Sequence, residues 1–292
     1  MDIKVEEEWI KAKEEFIKSG KKLIVIGCSD SGKSTFILYL ANEIYKTGKK
    51  VGILDLDIGQ SNIGPPSTIG FGIVKKNLNS LLEIESEKLY FIGDVSPKGN
   101  LLQIIIGGFK LLNEMEKYNL DYILIDTTGL VDGLIGELLK QNKIEILNPD
   151  FIFLFEDNKE RENLIKPFIF DNKIIIRLKP SSNSIERTKL ERIEYRNNRF
   201  REYFFNSKEF EIHFKEENIL SPNFKKFIPF QNSIVGFLDK DRFLVCIGVL
   251  KKIDLYKNKI IVNLPESDFK RIKFIKFSNL QYQYGVRHHI DI

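Results

Sequence analysis

Nine residues restrict the fold more than any others in the chain: Gly27-Cys-Ser-Asp-Ser-Gly-Lys-Ser-Thr35. They follow an apolar run with strand character, Leu23–Ile26, and precede Phe36, Ile37, Leu40 and Ile44 at helical spacing. A GxxxxGK[ST] loop between a buried strand and a helix requires an α/β sheet, because that junction makes successive backbone N–H groups converge on one point. The helix dipole aims its positive end at the same point, so the loop is a cradle for a phosphate chain. Gly27, Ser29, Asp30, Ser31, Gly32, Lys33, Ser34 and Thr35 are the expected nucleotide contacts. Lys33 is expected to reach the β- and γ-phosphates and Ser34 to ligate Mg²⁺. A nucleoside triphosphate is therefore the expected ligand.

Composition sets bounds on the rest. With 292 residues, 42% of them hydrophobic, the chain suits one large domain plus a small one. A net charge of +4 implies no nucleic-acid partner by itself, so any basic footprint must be local. Two cysteines, Cys28 and Cys246, lie far apart, which excludes a disulfide framework and leads us to expect a reducing, cytoplasmic setting. The acidic N-terminus carries no signal-peptide pattern, and no apolar run approaches the roughly 20 residues of a membrane span.

Along the chain, residues 4–19 read as an amphipathic helix through Val5, Trp9, Ala12 and Phe16, with Trp9 as a core anchor. Val51–Asp57 reads as a strand, and 58–70 as an irregular loop rich in Gly and Pro. Further strands are expected at Leu89–Ile92, Tyr122–Ile125, Phe151–Phe155 and Lys173–Arg177, with a helix over about 100–118. Short apolar strands alternating with helices predict a mainly parallel sheet covered on both faces, a P-loop NTPase fold. Residues 184–204 read as an arginine-dense helix, with Lys189, Arg192, Arg196 and Arg199 on one stripe. Beyond residue 206, runs at 233–238, 242–250, 259–264 and 272–277 predict a small C-terminal β-rich domain. The expected division is thus 1–205 and 206–292.

Three strand-end aspartates sit beside the phosphate loop. Asp55 and Asp57, two residues apart, project to one side of the sheet. Asp57 lies farther toward the loop and is favoured as general base, with Asp126 its competitor. The metal role falls on Asp55 or Asp126, the latter ending its strand like a Walker B carboxylate. The arginine helix is either a solvated charged face or a lid laying Arg192 and Arg196 over a transferring phosphoryl group. His213, His288 and His289 have no partners at metal spacing and are expected at the surface or in the tail. Guanine recognition usually needs Asn-Lys-x-Asp; the nearest stretch, Asn142-Lys-Ile-Glu145, ends in Glu, which favours ATP, with other nucleoside triphosphates still open.

Several stretches, in order, resemble one family. They are the phosphate loop, Asp55-Leu-Asp-Ile-Gly-Gln60, Pro66-Ser-Thr-Ile-Gly70, Thr127-Thr-Gly-Leu-Val-Asp-Gly133 and Arg192-x-x-x-Arg196 with Phe200-Arg-Glu-Tyr-Phe204. Together they resemble the polynucleotide 5′-hydroxyl kinases related to the kinase subunit of the pre-mRNA cleavage machinery and to the ribosomal-RNA-processing kinases. The resemblance implies Mg²⁺- and ATP-dependent phosphorylation of a single-stranded or duplex RNA or DNA 5′-hydroxyl end. It implies Asp57 as the base, Gln60 as an orienting residue, and Thr127, Thr128 and Gly129 as a clasp on the terminal nucleotide. It also implies lid roles for Arg192 and Arg196. Eukaryotic members carry a tryptophan after the clasp glycine, where this chain has Leu130, and a separate N-terminal β-domain that is expected to be absent here. An ATP-bound scaffold without turnover, or a partitioning or metallochaperone ATPase, is the alternative. A degraded base, lysine or lid would favour the scaffold, and a second loop lysine or a cysteine pair the ATPase; none of these occurs.

Overall fold

A computed structural model describes residues 5–156, 161–180, 187–220 and 229–282. The pair His288–His289 and the first three residues of the expected arginine helix lie outside the described residues. In chain order the elements are α1 (Glu7–Ser19), β1 (Lys22–Gly27), α2 (Lys33–Lys46), β2 (Val51–Leu56), β3 (Thr68–Ile73), β4 (Ser86–Phe91), α3 (Leu101–Glu116), β5 (Tyr122–Thr127) and α4 (Gly133–Leu147). There follow β6 (Phe151–Phe155), β7 (Ile174–Leu178), α5 (Lys189–Phe204), β8 (Lys208–His213), β9 (Ser233–Leu238), β10 (Leu244–Asp254), β11 (Lys259–Leu264) and β12 (Phe274–Gln281).

The first seven strands form one sheet in the order β4-β3-β2-β5-β1-β6-β7. Strand alternation explains its two covered faces. Leu23 and Val25 of β1, with Phe151, Phe153 and Phe155 of β6, pack against Trp9 and Phe16 of α1 and Phe36 and Leu40 of α2. Ile24, Ile26, Ile152 and Leu154, on the opposite face, pack against Leu111 and Met115 of α3 and Leu139 and Ile144 of α4. Trp9 is 1% exposed, its ring edge-on to Phe36 at 5.1 Å between centroids, as a core anchor should be. Val5 precedes α1 and is exposed.

The sheet is parallel from β2 across to β7, and antiparallel at the β2–β3 and β3–β4 pairs. Here the expectation of an irregular 58–70 needs correction, because Thr68, Ile69 and Gly70 begin β3. Gly and Pro signal a turn, yet the glycines at 70 and 72 are accommodated where β3 runs between two partners, with Asp55 facing Gly70 and Phe71 facing Lys88.

The second sheet has the order β12-β9-β10-β11-β8, and every pair that it registers is antiparallel. β8 was not expected, because Lys208–His213 is mostly charged and exposed on this edge. The two sheets are joined by apolar contact: Phe91 of β4 and Phe200 and Phe204 of α5 are buried among Ile234, Leu238, Ile247 and Val249.

Candidate active site

The register of β2 against β5 sets Asp55 directly beside Asp126, and Leu56 beside Thr127. β1, which delivers the phosphate loop, is the other neighbour of β5. Parallel strands end on the same side, so loop and aspartates share one edge, where open α/β sheets bind ligands.

The loop turns through Asp30 at φ +59° and Gly32 at φ +94°, the latter capping α2. Lys33 is 6% exposed, and its ammonium donates to the Cys28 carbonyl. Burial pushes its pKa down, opposed first by Asp126 and then by Asp57. Ser34 Oγ donates to Asp126 Oδ2 at 2.6 Å, and Thr127 N to Asp126 Oδ1 at 2.8 Å. Burial raises the Asp126 pKa, with Lys33 and the Ser34 bond pulling the other way.

Asp55 and Asp57 serve the loop after β2 differently. Asp55 is 1% exposed, and both its oxygens accept from that loop: Oδ1 from Asp57 N at 2.9 Å, Oδ2 from Asn62 N at 2.6 Å, Ile63 N at 3.1 Å and Ser61 Oγ at 3.5 Å. Burial, then the charges of Asp126 and Asp57, push its pKa up to about 8. Asp57 lies one residue beyond the strand, and its Oδ1 accepts from Gly59 N at 2.9 Å and Gln60 N at 3.0 Å. Its Oδ2 has no partner among the described residues. Asp57 therefore holds the turn with one oxygen and has the other to spare.

The Thr127–Gly129 stretch abuts the phosphate loop. A Cβ on Gly129 would lie 2.3 Å from Ser29 N, so only glycine permits the two loops to touch. Thr127 Oγ1 donates to Val25 O at 2.8 Å, tying this stretch to β1. Leu130 turns toward the sheet core.

Helix α5 crosses this edge. Thr188 starts it with a capping box to Glu191. Arg192 Nη2 bonds Asp30 Oδ2 at 2.7 Å, and Arg187 N bonds the same oxygen at 3.0 Å. Arg187 Nη1 reaches Gln60 Oε1 at 2.8 Å, and Arg199 Nη2 reaches Gly64 O at 3.2 Å. Burial lowers the Arg196 pKa while Asp57 raises it, and its Nε is buried without a hydrogen-bond partner. The stripe from Arg192 to Arg199 thus faces the loops, whereas Lys189 is exposed. At its other end Phe200 and Phe204 are buried on the second sheet, and Ile247 N donates to the Tyr203 hydroxyl at 3.1 Å.

Three residues join this site that the sequence did not assign to it. Arg187 bridges Asp30 and Gln60 as just described. Lys140 and Lys143 of α4 are 0% and 1% exposed beneath the strand ends. Lys140 Nζ donates to Thr127 Oγ1 at 2.9 Å and to Thr128 O, and Lys143 Nζ to Leu56 O at 3.4 Å. Burial drives the Lys140 pKa well down, and that of Lys143 to about 8, where Asp57, Asp55 and Asp126 hold it up. The signal was present in the sequence: both lysines share a helical stripe with Gly136, Leu139, Ile144 and Leu147. Lys143 belongs to the Asn142–Glu145 stretch, which is thereby a turn of α4 with Lys143 and Ile144 buried against the sheet and Asn142 and Glu145 exposed.

Oxygen donors at Ser34 and Asp126 suit a hard cation that keeps most of its other ligands as water or phosphate oxygen. Among the described residues, no three His, Cys, Asp or Glu side chains form a ready-made metal cage, and no helix is long and apolar enough to cross a membrane.

The family model described as mRNA cleavage and polyadenylation factor CLP1 P-loop matches residues 27–206. The chain is 33% identical to a polyribonucleotide 5′-hydroxyl-kinase of Methanocaldococcus jannaschii, over 89% of this chain and 86% of that one. It is 30% identical to a polyribonucleotide 5′-hydroxyl-kinase of Pyrococcus abyssi, over 91% and 89%. The solved Clp1p in complex with Pcf11p (454–563) shares the fold at a TM-score of 0.72, with 15% identity, over 94% of this chain and 78% of that one.

Proposed function

Since the chain belongs to the CLP1 P-loop family of polynucleotide 5′-hydroxyl kinases, we propose that it transfers the γ-phosphoryl group of ATP to the 5′-hydroxyl end of RNA. The observation that carries this reading to the residues is the Asp57 carboxylate. One oxygen is fixed by two backbone N–H groups and the other is unpartnered, on an edge shared with a phosphate loop and an arginine helix. An unpartnered carboxylate oxygen held by its neighbour is what a general base requires.

In this reading Asp57 accepts the proton of the attacking 5′-hydroxyl. Lys33 leaves the Cys28 carbonyl for the phosphates of ATP, and Arg192 and Arg196 offset charge on the equatorial oxygens of the transferring group. Gly27 to Thr35 hold the triphosphate, while Gln60 and Thr127 to Gly129 orient the terminal nucleotide. Ser34 and Asp126 would hold Mg²⁺, which supplies charge neutralisation at the phosphates. What favours Asp126 over Asp55 is the Ser34 contact, together with the loop donors that already occupy both Asp55 oxygens. DNA ends lie within the same reading.

The test is transfer of label from γ-labelled ATP to 5′-hydroxyl oligonucleotides of RNA and DNA, alongside Asp57→Asn and Lys33→Ala. The Asp57→Asn side chain keeps an Oδ1 acceptor for Gly59 N and Gln60 N, so the turn survives and only the base is lost. The expected fall in kcat is about 10²- to 10⁴-fold. Absence of transfer to either polymer refutes the kinase reading; undiminished transfer by Asp57→Asn refutes the base alone.

A further inference from the structure

With a half-buried leucine packed against the core at position 130, the clasp of this chain offers no aromatic surface to a nucleobase. The arginine helix does. Tyr195 lies on the α5 face of Arg192, Arg196 and Arg199, at positions i+3, i+4 and i+7 from the first of these. The Arg187 guanidinium stands 5.5 Å from its ring centroid, and the same guanidinium bonds Gln60 Oε1 at 2.8 Å. Gln60 N in turn is held by the Asp57 carboxylate at 3.0 Å. A short chain of contacts therefore links the ring to the proposed base. The ring is half-buried, and its hydroxyl has no hydrogen-bond partner among the described residues. Burial raises the pKa of that hydroxyl; Asp55 and Asp57 add to the effect and Arg199 and Arg187 oppose it.

A planar guanidinium beside a phenol is a surface on which any base can stack, since every base has a π-face. The 5′-terminal base is one sugar away from the hydroxyl that Asp57 would deprotonate. We propose that Tyr195, with Arg187 over its ring, is the stacking platform for the 5′-terminal nucleobase of the acceptor strand. It supplies from the lid the aromatic contact that Leu130 cannot supply from the clasp. This rests on the kinase reading for the identity of the acceptor, and it makes Tyr195 a specificity-determining residue for that reaction.

The experiment places 2-aminopurine at the 5′ terminus of a 5′-hydroxyl RNA oligonucleotide and follows its fluorescence on binding, together with label transfer. Quenching is expected with the native protein and with Tyr195→Phe, and its loss with Tyr195→Leu, which keeps bulk without a ring. Tyr195→Leu is expected to raise KM for the oligonucleotide about 5- to 150-fold, the range that base–aromatic stacking spans, with kcat and KM for ATP little changed. An oligonucleotide with an abasic 5′-terminal residue is expected to carry that penalty with the native protein and no further penalty with Tyr195→Leu. Equal quenching by Tyr195→Leu, no quenching by the native protein, or an abasic penalty unchanged by the substitution each overturns the proposal. Quenching that depends on Tyr195 without label transfer refutes the kinase reading and leaves the platform standing.

Discussion

Replacing Lys143 with methionine is expected to stabilise the protein, by an amount that depends on pH. The side chain is 1% exposed, and among the described residues its ammonium makes only a long bond, 3.4 Å, to Leu56 O. Burial lowers its pKa from 10.5 to about 8, against the opposing charges of Asp57, Asp55 and Asp126. Because the folded value is depressed, unfolding takes up a proton between about pH 8 and 10.5. The amine therefore detracts nothing from stability above 10.5, detracts progressively as pH falls toward 8, and by a constant amount below. The fall from 10.5 to about 8, at roughly 1.36 kcal/mol per unit, comes to about 3 kcal/mol. The lost Leu56 bond offsets this by only about 0.5 kcal/mol. Lys143→Met should thus gain roughly 2–3 kcal/mol at pH 7 and close to nothing above pH 10.5. Urea unfolding of both proteins without nucleotide, in steps from pH 7 to above 10.5, measures the difference. A gain that stays constant with pH, or a loss at pH 7, refutes the view that a buried ammonium is held under the site against its desolvation. The same substitution should lower kcat, since the Asp57 and Asp126 carboxylates then lose a counter-charge, in the usual exchange of activity for stability.

Asp55→Asn should cost about 1–3 kcal/mol, because both oxygens accept and every amide orientation sets an NH₂ against a backbone N–H. The Mg²⁺ concentration for half-maximal rate should stay unchanged; a marked rise would make Asp55 a metal ligand. Asp30→Asn removes the charge that draws both Arg192 and the Arg187 backbone N–H to the phosphate loop. In the nucleotide-free protein, amide exchange over 187–192 should quicken about fivefold, for roughly 1 kcal/mol of lost coupling. Unchanged exchange would mean that α5 is held over the site by its other contacts.

The local parts of this site were legible because they are local. Strand, glycine turn and helix N-terminus sit within a dozen or so residues, and backbone sterics alone shape the phosphate loop. The apolar runs of β1, β5 and β6 announce a sheet covered on both faces, and the order of motifs announces the family. Harder to read were features that depend on partners distant in sequence. Asp55 and Asp57 look equivalent two residues apart, and only the path of the loop after β2 commits both oxygens of one and a single oxygen of the other. Lys140 and Lys143 read as ordinary helix charges until α4 packs on the sheet and turns them under Thr127 and Leu56.

The C-terminal strands take up Phe200, Tyr203 and Phe204, the apolar end of the arginine helix. That anchorage fixes which face of α5 meets the phosphate loop, and so brings Arg187, Arg192, Arg196 and Tyr195 to the acceptor edge. The sequence alone determined what binds the triphosphate, because a cradle of backbone N–H groups needs only its own few residues. Tertiary structure decided which carboxylate is unpartnered, which lysines are buried and what the lid presents, because burial and charge pairing are set by what lies opposite in space.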